Sequence, residues 1–133
     1  MKQLEHVGIA VKDLEAAIVQ FTTLLNTPCY KQEEVKSQEV ATAFFKLKDQ
    51  KIELLASTSP NSSLAKFLDR NGEGIHHLAF EVDDIVAEMA RLASEGFTPL
   101  QEEPFLGADN KMVAFFHPKS TRGVLVEICQ EIS

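Results

Sequence analysis

The chain has 133 residues, 44% of them hydrophobic, with a formal net charge of −7 and a pI near 5.0. That length and apolar content suit one domain, or two small modules sharing a core, able to fold alone. The acidic balance, with no basic stripe interleaved with aromatic residues, argues against nucleic acid as a partner.

From the N-terminus, "MKQLEHVGIAV" goes directly into a strand-like pattern, without a signal-peptide apolar region or cleavage site. No apolar run approaches the roughly 20 residues of a membrane span. A cytoplasmic location is therefore expected, with no membrane partner. The two cysteines, Cys29 and Cys129, are far apart and have neither zinc-type nor redox-type spacing, so they read as two packed thiols.

Period-2 patterning over about 4 to 11 predicts a strand, followed at once by a helix over about 13 to 25 with Asp13 as its N-cap. Three strand-like runs follow, "PCYKQEEV", "VATAFFKL" and "KIELLAS". The segment "STSPNSSLAKFLDRNGEG" reads as a linker holding one short helix, capped by Asn61 or Ser62 and ended by Asn71-Gly72. A second strand (about 75 to 82) and helix (about 84 to 95, N-capped by Asp84) precede three more strand-like runs, "TPLQEEP", "KMVAFFHP" and "GVLVEICQ". Between the first two of these, "PFLGADNK" reads as a mobile loop around Gly107, of the kind that closes over ligands.

The two halves repeat. A shift of 71 residues sets "HVGIAVKDLEAAIVQF" from His6 beside "HLAFEVDDIVAEMARL" from His77, and the same shift lays "AFF" at 43–45 onto "AFF" at 114–116. The fold class is therefore α+β, two tandem βαβββ modules: module one about 1–58, a linker about 59–73 and module two about 74–133, together forming a single domain.

Strand parity then sorts the side chains. His6, Gly8 and Ala10 share one face of the first strand, opposite Val7, Ile9 and Val11, which should pack on the helix. In the second module His77, Ala79 and Glu81 take the equivalent face, so His77 matches His6 and His76 points away, towards the helix side or the module junction. The last strand of each module embeds one carboxylate, Glu53 or Glu127, in an apolar run. Ionised carboxylates are seldom buried without a cation or a hydrogen-bond partner. If the modules pack about a pseudo-twofold axis, two imidazoles and two carboxylates converge, a set that suits a divalent ion with positions left for water or substrate. Cobalt, manganese, zinc, nickel and magnesium are all compatible with it.

These segments resemble the vicinal-oxygen-chelate (glyoxalase/bleomycin-resistance) superfamily, and within it the methylmalonyl-CoA epimerase family. The resemblance spans essentially the whole chain and is most specific in "LEHVGIAVKDLEAA", "GEGIHHLAFEVDDI" and "FFHPKSTRGVLVEI". It implies an eight-stranded metal-binding cleft, a homodimer, and an acyl-CoA substrate held by its carboxylate and thioester oxygens. Metal ligands fall on His6, Glu53, His77 and Glu127. The implied reaction interconverts (R)- and (S)-methylmalonyl-CoA by proton transfer α to the thioester, through an enolate stabilised by the metal. Glu127 is the first candidate for a base, with Glu53 approaching from the opposite face. Where some family members are thought to carry a carboxylate on the third strand, this chain has Thr42. His117, Lys119 and Ser120 in "HPKS", together with Gly107, are candidates for substrate contact, against a plain hairpin role for the same turn. Two alternatives share the fold. One is a glyoxalase I-type isomerase, which uses the same four ligand types but usually ends in a different last hairpin. The other is a metal-free small-molecule binding module, which generally lacks the ligand residues.

Overall fold

The computed structural model describes residues 1–132. Eight strands and three α-helices lie among them, in two compact units: His6–His76, and Met1–Glu5 together with the chain from His77 onward.

In the first unit β1 (Gln3–Ala10) leads into α1 (Leu14–Leu25), then β2 (Lys31–Val35), β3 (Val40–Leu47), β4 (Gln50–Ser57) and α2 (Ser63–Asn71). The strands lie in the order β2-β3-β4-β1, with β1 parallel to β4 and the other pairs antiparallel. α1 starts where Asp13, in extended backbone, accepts the Ala16 N–H at 3.1 Å, and it stops at Asn26, which takes a left-handed conformation. Leu14, Ile18, Phe21 and Leu25 recur at helical spacing and pack on Ile9, Val11, Phe45 and Leu54. The β-branched face of β1 thus meets the helix, as its parity predicts. Full burial of Phe45 and Leu54 contributes on the order of 2 kcal/mol each.

α2 is the helix expected in the linker. Ser62 caps it by accepting the Ala65 N–H at 2.9 Å, and Gly72 ends it at φ 76°. Its Leu64, Phe67 and Leu68 close over Ala10, Val40 and Leu55. These residues lie on the same face of β1 and β4 as His6 and Glu53, so one end of that face is apolar and covered.

The second unit repeats the plan with β5 (Gly74–Glu81), α3 (Ile85–Ser94), β6 (Phe105–Leu106), β7 (Lys111–Phe116) and β8 (Val126–Glu131), in the order β5-β8-β7-β6. Here β5 and β8 are parallel, and α3 is capped by Asp84, which accepts the Ala87 N–H at 3.1 Å. Val82, Ile85, Met89, Leu92, Ala114, Phe116 and Ile128 form the core beneath the helix. The opposite face carries Ala79, Val113 and Cys129, with Phe105 and Phe115 packed against them. The opening residues belong here: the Lys2 N–H donates to the Glu81 carbonyl at 2.8 Å, and its ammonium lies 3.2 Å from Glu81 and 3.1 Å from Asp83.

The run "TPLQEEP" is not a strand. Its only sheet-like contact among the described residues is an isolated bridge from Pro99 to Phe116, and the pairing strand is the two-residue β6 just beyond it. Pro99 and Pro104 each lack the backbone donor that a ladder needs, which confines pairing here to single contacts. The last strand also starts later than "GVLVEICQ" suggests, at Val126, because Thr121 to Gly123 are taken up by the preceding turn.

Candidate metal centre

Each unit brings one histidine and one glutamate together. His6 on β1 and Glu53 on β4 lie 3.2 Å apart, Nε2 to Oε1, and both are 5% exposed. His77 on β5 and Glu127 on β8 lie 3.3 Å apart between the same atoms, at 2% and 5% exposure. In each case the strands are the parallel pair of the unit, so residues about 50 apart in sequence meet on one face. Distance and donor type decide whether such a pair fits a divalent ion. Two ligand atoms bound at right angles to a first-row ion, each at about 2.1–2.2 Å, stand about 3 Å from each other. Imidazole Nε2 beside a carboxylate oxygen at 3.2–3.3 Å matches that spacing, and in each pair a cation would balance the charge of a buried carboxylate.

The candidate substrate contacts Gly107, His117, Lys119 and Ser120 lie elsewhere in the second unit. Gly107 follows β6 and donates its N–H to the Lys111 carbonyl at 2.9 Å, closing the β6–β7 hairpin. A Cβ there would stand 3.0 Å from both Val113 methyls, so close packing of the hairpin explains the glycine. His117, Lys119 and Ser120 form a short 3₁₀ turn (Pro118–Thr121). The His117 Nδ1 accepts the Lys119 N–H at 3.0 Å, the Ser120 hydroxyl donates to the His117 carbonyl at 2.8 Å, and Ser120 Oγ accepts the Thr98 N–H at 3.3 Å. His76 turns away from the face that carries His77 and packs perpendicular to the Phe67 ring of α2, 4.8 Å between centroids. Thr42, 1% exposed, donates its hydroxyl to the Glu33 carbonyl at 3.1 Å.

Sequence reasoning did not single out Glu5, Lys111, Gln101 or the aromatic rings beside the histidines. Glu5 and Lys111 are both buried, with ammonium and carboxylate 3.9 Å apart. The 71-residue shift held a signal for the second of them, since it places Lys111 on the buried Val40, a charge where the other module has a core residue. Burial pushes the Cys129 thiol well above its ordinary value, and the nearby Glu127 and Glu5 carboxylates add to the shift.

Residues 5–115 match the model of the glyoxalase/bleomycin resistance protein/dioxygenase superfamily. The chain is 42% identical over 130 residues to the ethylmalonyl-CoA/methylmalonyl-CoA epimerase of Cereibacter sphaeroides, covering 96% of this chain and 97% of that one. It is 38% identical over 129 residues to the human mitochondrial methylmalonyl-CoA epimerase, covering 96% and 73%. Among solved structures, a variant of the Streptomyces coelicolor methylmalonyl-CoA epimerase in complex with 2-nitronate-propionyl-CoA superposes with a TM-score of 0.97 at 31% identity, covering 100% of this chain and 99% of that one. The α+β architecture of two βαβββ modules is therefore the glyoxalase-like fold, and the chain belongs to the methylmalonyl-CoA epimerase family of that superfamily.

Proposed function

We propose that the chain interconverts (R)- and (S)-methylmalonyl-CoA, with His6, Glu53, His77 and Glu127 converging on one divalent ion of the cobalt, manganese, zinc, nickel or magnesium type. The observation that carries the reading is the matched pair of buried His–Glu contacts, at 3.2 and 3.3 Å, on equivalent strands of a repeated module. The Streptomyces coelicolor neighbour, which holds 2-nitronate-propionyl-CoA, supports an acyl-CoA as the substrate class. The working unit is read as one domain over 1–133, with module one about 1–58 and module two about 74–133, acting as a cytoplasmic homodimer.

The chemistry follows from the weak acidity of a carbon-bound proton α to a thioester. When bound, the ion supplies a Lewis acid for the oxygen on which negative charge develops. Epimerisation then requires a base on one face of the α-carbon and an acid on the other. Glu127 takes the proton on one side, and Glu53, its counterpart in the other module, returns one on the opposite side. Thr42 is not counted as a base here, since an aliphatic hydroxyl is not a proton acceptor of carboxylate strength and its proton is directed to the Glu33 carbonyl. Lys119, the backbone of the His117–Ser120 turn and the Gly107 hairpin are the substrate contacts in this reading. The net charge of −7 gives a polyanionic CoA no long-range attraction, so local donors must hold it.

The test is deuterium incorporation at the α-carbon of methylmalonyl-CoA in heavy water, with and without a chelator. Exchange that the chelator abolishes is expected, and Glu127→Gln and Glu53→Gln should each lower its rate by about 10²-fold or more. An enzyme that exchanges no α-proton under any of these metals does not have this function, and a variant with wild-type exchange and metal still bound has not lost a base.

A further inference from the structure

Each imidazole of the two pairs is met by one phenylalanine, and that ring is backed by a second aromatic. In the first unit His6 lies 6.4 Å from Phe44 at an interplanar angle of 88°, and Phe44 lies 6.0 Å from Tyr30 at 39°. In the second His77 lies 5.7 Å from Phe115 at 84°, and Phe115 lies 6.1 Å from Phe105 at 26°. The shift of 71 residues that relates His6 to His77 also relates Phe44 to Phe115. Strand register completes the arrangement, because Phe44 stands opposite Glu53 across β3 and β4, and Phe115 opposite Glu127 across β7 and β8. One phenylalanine therefore borders both members of each His–Glu pair.

What holds that ring differs between the units. Phe44 is 1% exposed within an unbroken antiparallel ladder, and its carbonyl accepts the Tyr30 N–H at 2.9 Å. Phe115 borders residues 99–104, where no strand forms. Its backbone is satisfied by a side chain instead: Gln101 Oε1 accepts the Phe115 N–H at 2.9 Å, and Gln101 Nε2 donates to the Phe115 carbonyl at 3.2 Å. The Leu100 N–H donates to the same carbonyl at 2.9 Å. The Gln101 amide thus stands in for a residue of the missing strand, and the loop that carries it sets where the Phe115 ring lies.

We propose that Phe44 and Phe115 are positioning residues for the two His–Glu pairs, and that Gln101 acts on His77 and Glu127 through Phe115. This rests on the reading of those four residues as metal ligands. A perpendicular ring restricts rotation of the imidazole, and an apolar wall beside the carboxylate limits the water that competes for its oxygens. The second pair is the one whose geometry depends on a loop.

Cobalt(II) binding to the full-length protein tests this without reference to turnover. Q101A and F115L should each weaken the Co²⁺ dissociation constant by about 10-fold and alter the cobalt visible absorption bands, the scale typical of residues that orient ligands. Phe115→Tyr, which keeps the ring, should restore both. Because Gln101 acts through Phe115, Q101A added to F115L should cause no further loss. Melting of each metal-free variant, followed by circular dichroism, separates misfolding from misplacement, and Q101E, which keeps the acceptor but loses the donor, serves if F115L does not fold. Wild-type affinity and spectrum in Q101A, or fully additive losses in the double variant, overturn the proposal. His77→Ala is the control for the underlying reading: wild-type Co²⁺ affinity in that variant would discard the ligand assignment itself, whereas its loss alongside an unaltered Q101A discards only the positioning role.

Discussion

At the residue scale the two cysteines show how burial decides chemistry. Cys129 is fully buried in one cluster with Ala79 and Val113 and directs its Sγ towards the Phe80 carbonyl at 3.6 Å, whereas Cys29 is half-exposed. Burial raises the Cys129 thiol pKa, and the adjacent carboxylates raise it further. In the native protein at neutral pH a thiol reagent should therefore modify Cys29 and spare Cys129, both becoming reactive in denaturant. The linkage has a definite sign. The unfolded chain releases the Cys129 proton above about pH 9 while the folded chain retains it, so this residue's contribution is intact below that pH and is lost as pH rises beyond it. Stability measured between pH 8 and 10.5 should fall less steeply for Cys129→Ala than for the wild type.

At the scale of elements, α1 and α3 start in the same way because the repeat conserves the cap between modules as well as the apolar stripe. Asp13 and Asp84 hold extended backbone, and each accepts the N–H three residues on. Asp13→Ala and Asp84→Ala should each cost about 1 kcal/mol, read as a fall in melting temperature of roughly 3–5 °C. Asp→Asn at the same sites should cost much less, since the side-chain acceptor survives. Prediction from pattern succeeds for such elements because both cap and periodicity are local. β3 falls on the run "VATAFFKL" as read from sequence, and α2 is capped at Ser62 as that segment suggests. It fails for "TPLQEEP", where alternation points to a strand but the flanking prolines and the Gln101 side chain replace the ladder.

For the whole molecule, a metal that binds only the folded chain must stabilise it by mass action. With the ion at about 100 times its dissociation constant the gain is about 2.7 kcal/mol, or roughly 10 °C in melting temperature for a chain of this size. Co²⁺ should raise the melting temperature of the wild type and of His76→Ala by that amount and leave His77→Ala unmoved, and excess chelator should reverse the shift. Equal shifts in the two histidine variants would remove His77 from the ligand set. The contrast follows from strand parity: neighbouring histidines on β5 face opposite ways, and His76 meets Phe67 while His77 meets Glu127.

By itself the sequence determined the repeat, the order of strands and helices, and which side chains share a face, because each of these follows from periods of two or 3.6 residues and from short-range caps. It therefore singled out His6, Glu53, His77 and Glu127 as a set. Only the tertiary structure decided that each histidine and glutamate of a unit meet at 3.2–3.3 Å, that Met1–Glu5 joins the unit formed from His77 onward, and that Lys111 is buried beside Glu5. The same holds for the aromatic rings beside the imidazoles and for the Gln101 amide that holds one of them. These are contacts that local pattern does not specify, and the two His–Glu pairs in particular join residues about 50 apart through parallel pairing of strands that are not neighbours in sequence. Nothing in local periodicity encodes that register. It is fixed when burial of the two apolar faces selects one alignment of the strands over all others.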